Sequence, residues 1–262
     1  MLLENKNAVI YGGGGAIGGG VARTFAREGA RVFLAGRTRE SLEAVAADIR
    51  AAGGSAEVAV VDALDERVVD EYAREVAAQA GSIDVSLNLV SRGDVQGIPL
   101  ADMTLEDFIR PITTGIKANF ITARAAARHM IEQSSGVILA LDSGSANRSP
   151  MMGGTGPADA ATDTFVRNLA AEVGPHGVRV LGLWTAGVPE TLSPESLAAV
   201  DSTLEMDDAA FQGLLDRLDG MRMLRRSPRL ADVAAVTAFL ASDRAAGITG
   251  TFVNVTGGMF PS

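Results

Sequence analysis

Tyr11-Gly12-Gly13-Gly14-Gly15-Ala16-Ile17-Gly18 is the stretch of this chain best suited to chemistry. It follows the apolar run Ala8-Val9-Ile10 and opens a segment in which Ile17, Val21 and Phe25 fall four residues apart. A strand, a glycine turn and a helix in that order suit a dinucleotide. Glycine lets the backbone approach a pyrophosphate, and the unpaired N–H groups of a helix start favour an anion. A flexible glycine loop is the plain alternative, and the flanking strand and helix patterns argue against it. Proton chemistry is harder to place. The only lysines are Lys6 and Lys117, the only tyrosines Tyr11 and Tyr72, and the only histidines His129 and His176. His176 sits in the turn Pro175-His176-Gly177, which reads as surface, and His129 lies near a helix C-terminus, where a cation is favourable anyway.

The elements that must position these residues alternate almost to the end of the chain. Ala8–Ile10, Val32–Ala35, Ala56–Val61, Val85–Leu89, Val137–Leu141, Val178–Trp184 and Thr251–Val255 read as strands. Near-continuous apolar runs such as Val32-Phe33-Leu34-Ala35 are expected of parallel strands covered on both faces. Leu42, Val45, Ala46 and Ile49 mark one helical face, and Val69, Tyr72, Ala73, Val76 and Ala77 another. A long helix ending near Met130, an alanine-rich helix from about Ala158 to Val173 and a last helix at Ala231–Ala241 complete the series. The pattern predicts an α/β fold: one Rossmann-type, doubly wound parallel sheet of about seven strands in a single domain, with ligands outside the carboxyl ends of the strands. Residues 190–226 break the rhythm, and are expected to form a lid of short helices over the site or else a surface elaboration.

Composition sets bounds. The 262 residues are 47% hydrophobic and 21% charged, as in a soluble globular protein. No apolar run approaches a membrane span, and the opening Met1-Leu2-Leu3-Glu4-Asn5-Lys6 has no signal-peptide pattern. With no cysteine, thiolate metal sites and disulfides are excluded; a cytoplasmic setting and no metal are expected. The net charge of −9 and scattered arginines speak against nucleic acid, leaving a small-molecule substrate as the expected partner.

At this point the chain resembles the short-chain dehydrogenase/reductase family over nearly its whole length. Gly12, Ile17 and Gly18 match its Thr-Gly-x-x-x-Gly-x-Gly pattern, with Tyr11 for the threonine and Ala16 for the middle glycine. The resemblance implies cofactor contacts at Gly12, Gly15, Ile17 and Gly18, at Asp62-Ala63 after the third strand, and at Asn88 after the fourth. It implies further contacts at Val188 and Thr191 in Ala186-Gly187-Val188-Pro189-Glu190-Thr191. The second strand ends Ala35-Gly36-Arg37-Thr38. The acid that NAD-preferring members carry is missing at Gly36, and Arg37 with Thr38 suits a 2′-phosphate, so NADP(H) is expected over NAD(H). An exposed helix-capping arginine is the alternative. The C-terminal run Val255-Thr256-Gly257-Gly258 also fits the family, whose helix packing implies a homotetramer or homodimer.

The same resemblance exposes a loss. Aligned through Leu169-Ala170-Ala171-Glu172, the family's catalytic Tyr and Lys fall on Thr155 and Asp159; aligned through Arg124 to Met130, its relay Asn falls on Gly115; only Ser143 is kept. An alcohol is far less acidic than a phenol, and general acid catalysis typically contributes about 10²–10⁴-fold. Asp142, raised in pKa by burial, could serve as an acid, and Asp159 could accept from ribose hydroxyls or simply cap its helix. Arg92 and Arg148 could hold an anion, although each reads first as a surface arginine. An oxidoreductase acting on an already activated electrophile such as an imine is one expectation. A non-redox enzyme on the same frame (cyclase, dehydratase or isomerase) and an inactive nucleotide-binding scaffold are the others.

Overall fold

The computed structural model describes residues 1–146, 149–201 and 206–260. Seven parallel strands form one sheet: β1 Asn7–Tyr11, β2 Arg31–Gly36, β3 Ser55–Val60, β4 Val85–Asn88, β5 Gly136–Asp142, β6 Val178–Trp184 and β7 Phe252–Asn254. Their order across the sheet is β3-β2-β1-β4-β5-β6-β7. The strand order therefore reverses between β1 and β4, and a crevice opens there at the carboxyl ends. Helices α1 Ala16–Arg27, α2 Arg39–Ala51 and α8 Leu230–Ala241 pack on one face. Helices α3 Glu66–Ala80, α4 Leu105–Gln133 and α5 Thr155–Val173 cover the other. Two layers of apolar side chains result, with Leu34, Leu87 and Leu181 in one and Phe33, Ile138 and Val180 in the other, because successive strand residues point to opposite faces.

Most element ends shift by about a residue from the sequence expectation, and the start of one helix shifts further. Helix α5 starts at Thr155, ahead of Pro157, so Asp159 lies inside the helix and does not cap it. Proline is tolerated in a first turn, where its missing N–H has no partner anyway. β7 is also shorter, at Phe252–Asn254. The segment 190–226 holds α6 Pro194–Ala198 and α7 Asp208–Met221. Arg222 fastens its end. This side chain is 1% exposed, and it donates to the backbone oxygens of Leu218, Ala186, Gly187 and Thr256. Among the described residues no helix is long and apolar enough to cross a membrane.

Candidate active site

The glycine turn sits where β1 hands over to α1. Gly12 has φ +79, and a Cβ there would stand 2.5 Å from the Leu89 carbonyl oxygen. A Cβ on Gly18 would collide with the Gly12 carbonyl, so α1 can approach the turn only because both positions lack side chains. Gly15 is the N-cap of α1 and brings no capping side chain, and the first turn holds no acid. The helix start thus keeps its N–H groups for an anion.

A cleft of about 320 Å³ runs from this turn along the carboxyl ends of the strands. Gly12, Gly15, Arg37, Thr38, Asp62 and Ala63 line it, as do Gly14, Ser41, Ser91 and Thr114, which the sequence reading did not single out. Arg37 is exposed and makes no ion pair or hydrogen bond among the described residues. Such a free fork of donors fits a phosphate. Ile17 and Gly18 lie behind the turn, outside the lining. Asn88 turns inward, donating from Nδ2 to Asn119 Oδ1 at 2.7 Å and accepting from Val90 N at 3.1 Å. Val188 is buried, and Thr191 Oγ1 donates to its carbonyl at 2.9 Å. These three residues brace the pocket rather than line it.

Asp159 is the hub of a second polar cluster, whose members Ser143, Thr155, Arg92 and Asp94 lie outside the lining of that cleft. It is 0% exposed, and its Oδ2 accepts from Ser143 N (3.2 Å), Ser143 Oγ (2.5 Å), Ser145 N (2.9 Å) and Ser145 Oγ (2.8 Å). Its Oδ1 accepts from Arg92 Nη1 at 2.6 Å. With both oxygens occupied, Asp159 faces the protein and has little left to offer a ribose, contrary to that expectation. Arg92 also meets Asp94, through Nη2 to Oδ1 at 3.1 Å and Nε to Oδ2 at 3.4 Å. Thr155 Oγ1 donates to the same Asp94 Oδ1 at 2.8 Å and accepts from Gln96 Nε2 at 3.3 Å. Burial works against the Arg92 charge, but Asp94 and Asp159 beside it outweigh that and raise its pKa above the ordinary value.

Asp142 lies at the end of β5, 3% exposed, away from the cleft lining. Its Oδ1 accepts from Gly144 N at 2.9 Å, while Oδ2 has no partner among the described residues. Burial, helped by the negative charge of Asp159, pushes this carboxyl up to about 8. Its protonated form is favoured, but it does not line the cleft. Asp163, two turns further along α5 than Thr155, accepts from Trp184 Nε1 at 3.2 Å.

No phenol or amine takes the vacated place. Tyr11 and Tyr72 meet edge to face at 6.3 Å in the layer under α3, and burial raises both phenols beyond their ordinary range. Lys6 pairs with Asp243 at 3.3 Å, and Lys117 is exposed on α4. His129 and His176 make no hydrogen bond to Ser143, Thr155 or Asp159 among the described residues. Arg148 lies outside the described residues.

Asp94 is the functional candidate that the sequence reading missed. Its signal was Arg92-Gly93-Asp94 directly after β4, where Gly93 at φ +72 reverses the chain so that both neighbours reach inward.

A family model described as enoyl-(acyl carrier protein) reductase matches residues 14–260. The chain is similar to an L-rhamnose 1-dehydrogenase (NAD(P)(+)) of Azotobacter vinelandii, 29% identical over 270 residues covering 99% of this chain and 98% of the relative. It is similar to a galactitol 2-dehydrogenase of Rhizobium johnstonii, 31% identical over 259 residues covering 98% and 95%. The crystal structure of an NAD+-bound xylitol dehydrogenase superposes with a TM-score of 0.87 at 25% identity, covering 98% of this chain and 100% of that one.

Proposed function

The chain belongs to the short-chain dehydrogenase/reductase family and is an oxidoreductase of that type; from that premise we propose an NADP(H)-preferring enzyme whose substrate is an imine or the corresponding amine. One observation carries the substrate assignment. Ser143 and Thr155 both spend their hydroxyl protons on carboxylates, Asp159 and Asp94. Thr155 is buried and its oxygen already accepts from Gln96 Nε2, so the half-buried Ser143 is the hydroxyl that presents lone pairs outward. A ketone oxygen needs a donor there, whereas a protonated imine or an amine brings an N–H that these lone pairs accept.

The charges agree with this polarity. Arg92 stands between two carboxylates, so the trio carries a net charge of −1, which favours a cationic substrate and disfavours an alkoxide. When bound, the nicotinamide supplies the hydride, and a protonated imine that receives it becomes a neutral amine without needing a proton at that step. The absence of a phenol at Thr155 is then no obstacle. The segment 190–226 acts as a lid in this scheme. Val200 O accepts from Gln96 N at 2.8 Å, tying the segment to the loop that carries Arg92 and Asp94.

NADPH and NADH titrations followed by nicotinamide fluorescence test the cofactor. Arg37→Ala is expected to weaken NADPH by about 10- to 100-fold, the worth of charge-assisted hydrogen bonds to a phosphate, and to leave NADH unchanged. Equal affinities in the wild type would reject the NADP assignment. For the substrate, NADPH oxidation is measured with a cyclic imine and with a ketone of the same ring size. The imine is expected to react and the ketone to be nearly inert; efficient ketone reduction would reject the imine reading.

A further inference from the structure

Arg92 owes its place in the site to a missing side chain on another helix. Its stem crosses α4 at Gly115, where an added Cβ would stand 2.7 Å from Arg92 Cδ and 3.3 Å from Cγ. That is closer than side-chain carbons approach, and the guanidinium beyond is pinned by Asp94 and Asp159, so it cannot swing aside cheaply. The loop that delivers it is fixed as well. Gly93 turns at φ +72, and Gly97 N donates to Met151 O at 2.7 Å. The side chain is 15% exposed, unlike the surface arginine that its loop position suggests.

We propose that Arg92 is the positioning residue of this site, that Gly115 is the opening that admits it, and that the two form one functional unit. Arg92 holds the Asp94 and Asp159 carboxylates in place. Those carboxylates in turn draw the hydroxyl protons of Thr155 and Ser143 inward, which sets the acceptor face that Ser143 offers to substrate. Without the guanidinium, two largely buried carboxylates lose their shared cation, and the hydroxyls are free to rotate. The role rests on the imine reading only for what the face recognises, not for how the face is held.

A double-mutant cycle on the full-length protein tests the unit: Arg92→Ala, Gly115→Ala and the pair, with Arg92→Lys alongside. Alanine in place of a mid-helix glycine ordinarily stabilises. Here Gly115→Ala is expected to lower the melting temperature while Arg92 is present and to raise it once Arg92 is alanine. That reversal of sign is read without any substrate. In turnover, Arg92→Ala and Gly115→Ala are each expected to lower kcat by about 10²-fold, as displaced catalytic groups do. The NADPH affinity should stay within about threefold, and the pair should be no worse than Arg92→Ala alone. Arg92→Lys keeps the charge without the fork and should recover part of the loss.

A stabilising Gly115→Ala in the wild type, additive losses in the pair, or undiminished kcat in Arg92→Ala would each overturn the proposal. A wild type that prefers ketones would sink the imine reading alone, since the same cycle is then read on the ketone.

Discussion

Asp159→Lys, alone or with Thr155→Tyr, is expected to lower the melting temperature by about 10 °C or more and to create no ketone reductase. The pair would restore the residues that the family pattern carries at these positions, yet the surroundings have been rebuilt for a carboxylate. Five donors converge on Asp159: two backbone N–H groups, two serine hydroxyls and the Arg92 guanidinium. A lysine ammonium has only donors to offer and would stand against a second cation in a place that water does not reach. Breaking a buried ion pair by removing one partner costs roughly 3–5 kcal/mol, and placing like charges together adds to it. Thermal melting and a ketone-reduction assay on the double variant check this. A variant that melts within a few degrees of the wild type and reduces ketones would show that Asp159 is not the hub described above.

Asp142→Asn is expected to stabilise the protein, and to do so more as pH rises. In the fold this carboxyl titrates near pH 8, because burial and the Asp159 charge disfavour its ionised form; its ordinary value is 3.8. Between those values the folded chain keeps a proton that the unfolded chain has lost. Stability therefore falls as pH climbs from about 4 towards 8 and levels off above, where Asp142 is ionised in both states. Asparagine cannot ionise, and its side-chain oxygen can still accept from Gly144 N. The advantage of the variant should be near zero at pH 4 and reach about 2–5 kcal/mol at pH 8. Urea unfolding of both proteins at pH 5 and pH 8 measures it. An advantage that does not change with pH would mean that Asp142 is not held neutral.

The glycine turn was legible because its demands are local. Gly12 and Gly18 announce a backbone approach that any side chain would block. The positions of the elements along the chain were also local, since strand runs and helix stripes fall where the periodicities put them. Helix α5 was misjudged at its start, by the ordinary habit of taking proline as the boundary, and that error made a cap of a buried carboxylate.

The substrate half was illegible for the opposite reason. Arg92 and Gly115 are 23 positions apart and on different elements, and nothing in the composition of either neighbourhood says that one must be bare for the other to fit. Asp94 sits in a glycine-containing loop of the kind that is usually solvated. Only its contact with Thr155, 61 residues on, gives it a role.

By itself the sequence determined the strands and helices of the sheet and the glycine turn, since each depends on residue type and near-neighbour spacing. Tertiary structure alone decided what surrounds Thr155 and Asp159. Hydrogen-bond polarity at a surface depends on which partners lie behind it, and here Arg92, Asp94 and Asp159, brought together from two distant stretches, turn the hydroxyl protons of Ser143 and Thr155 towards the carboxylates.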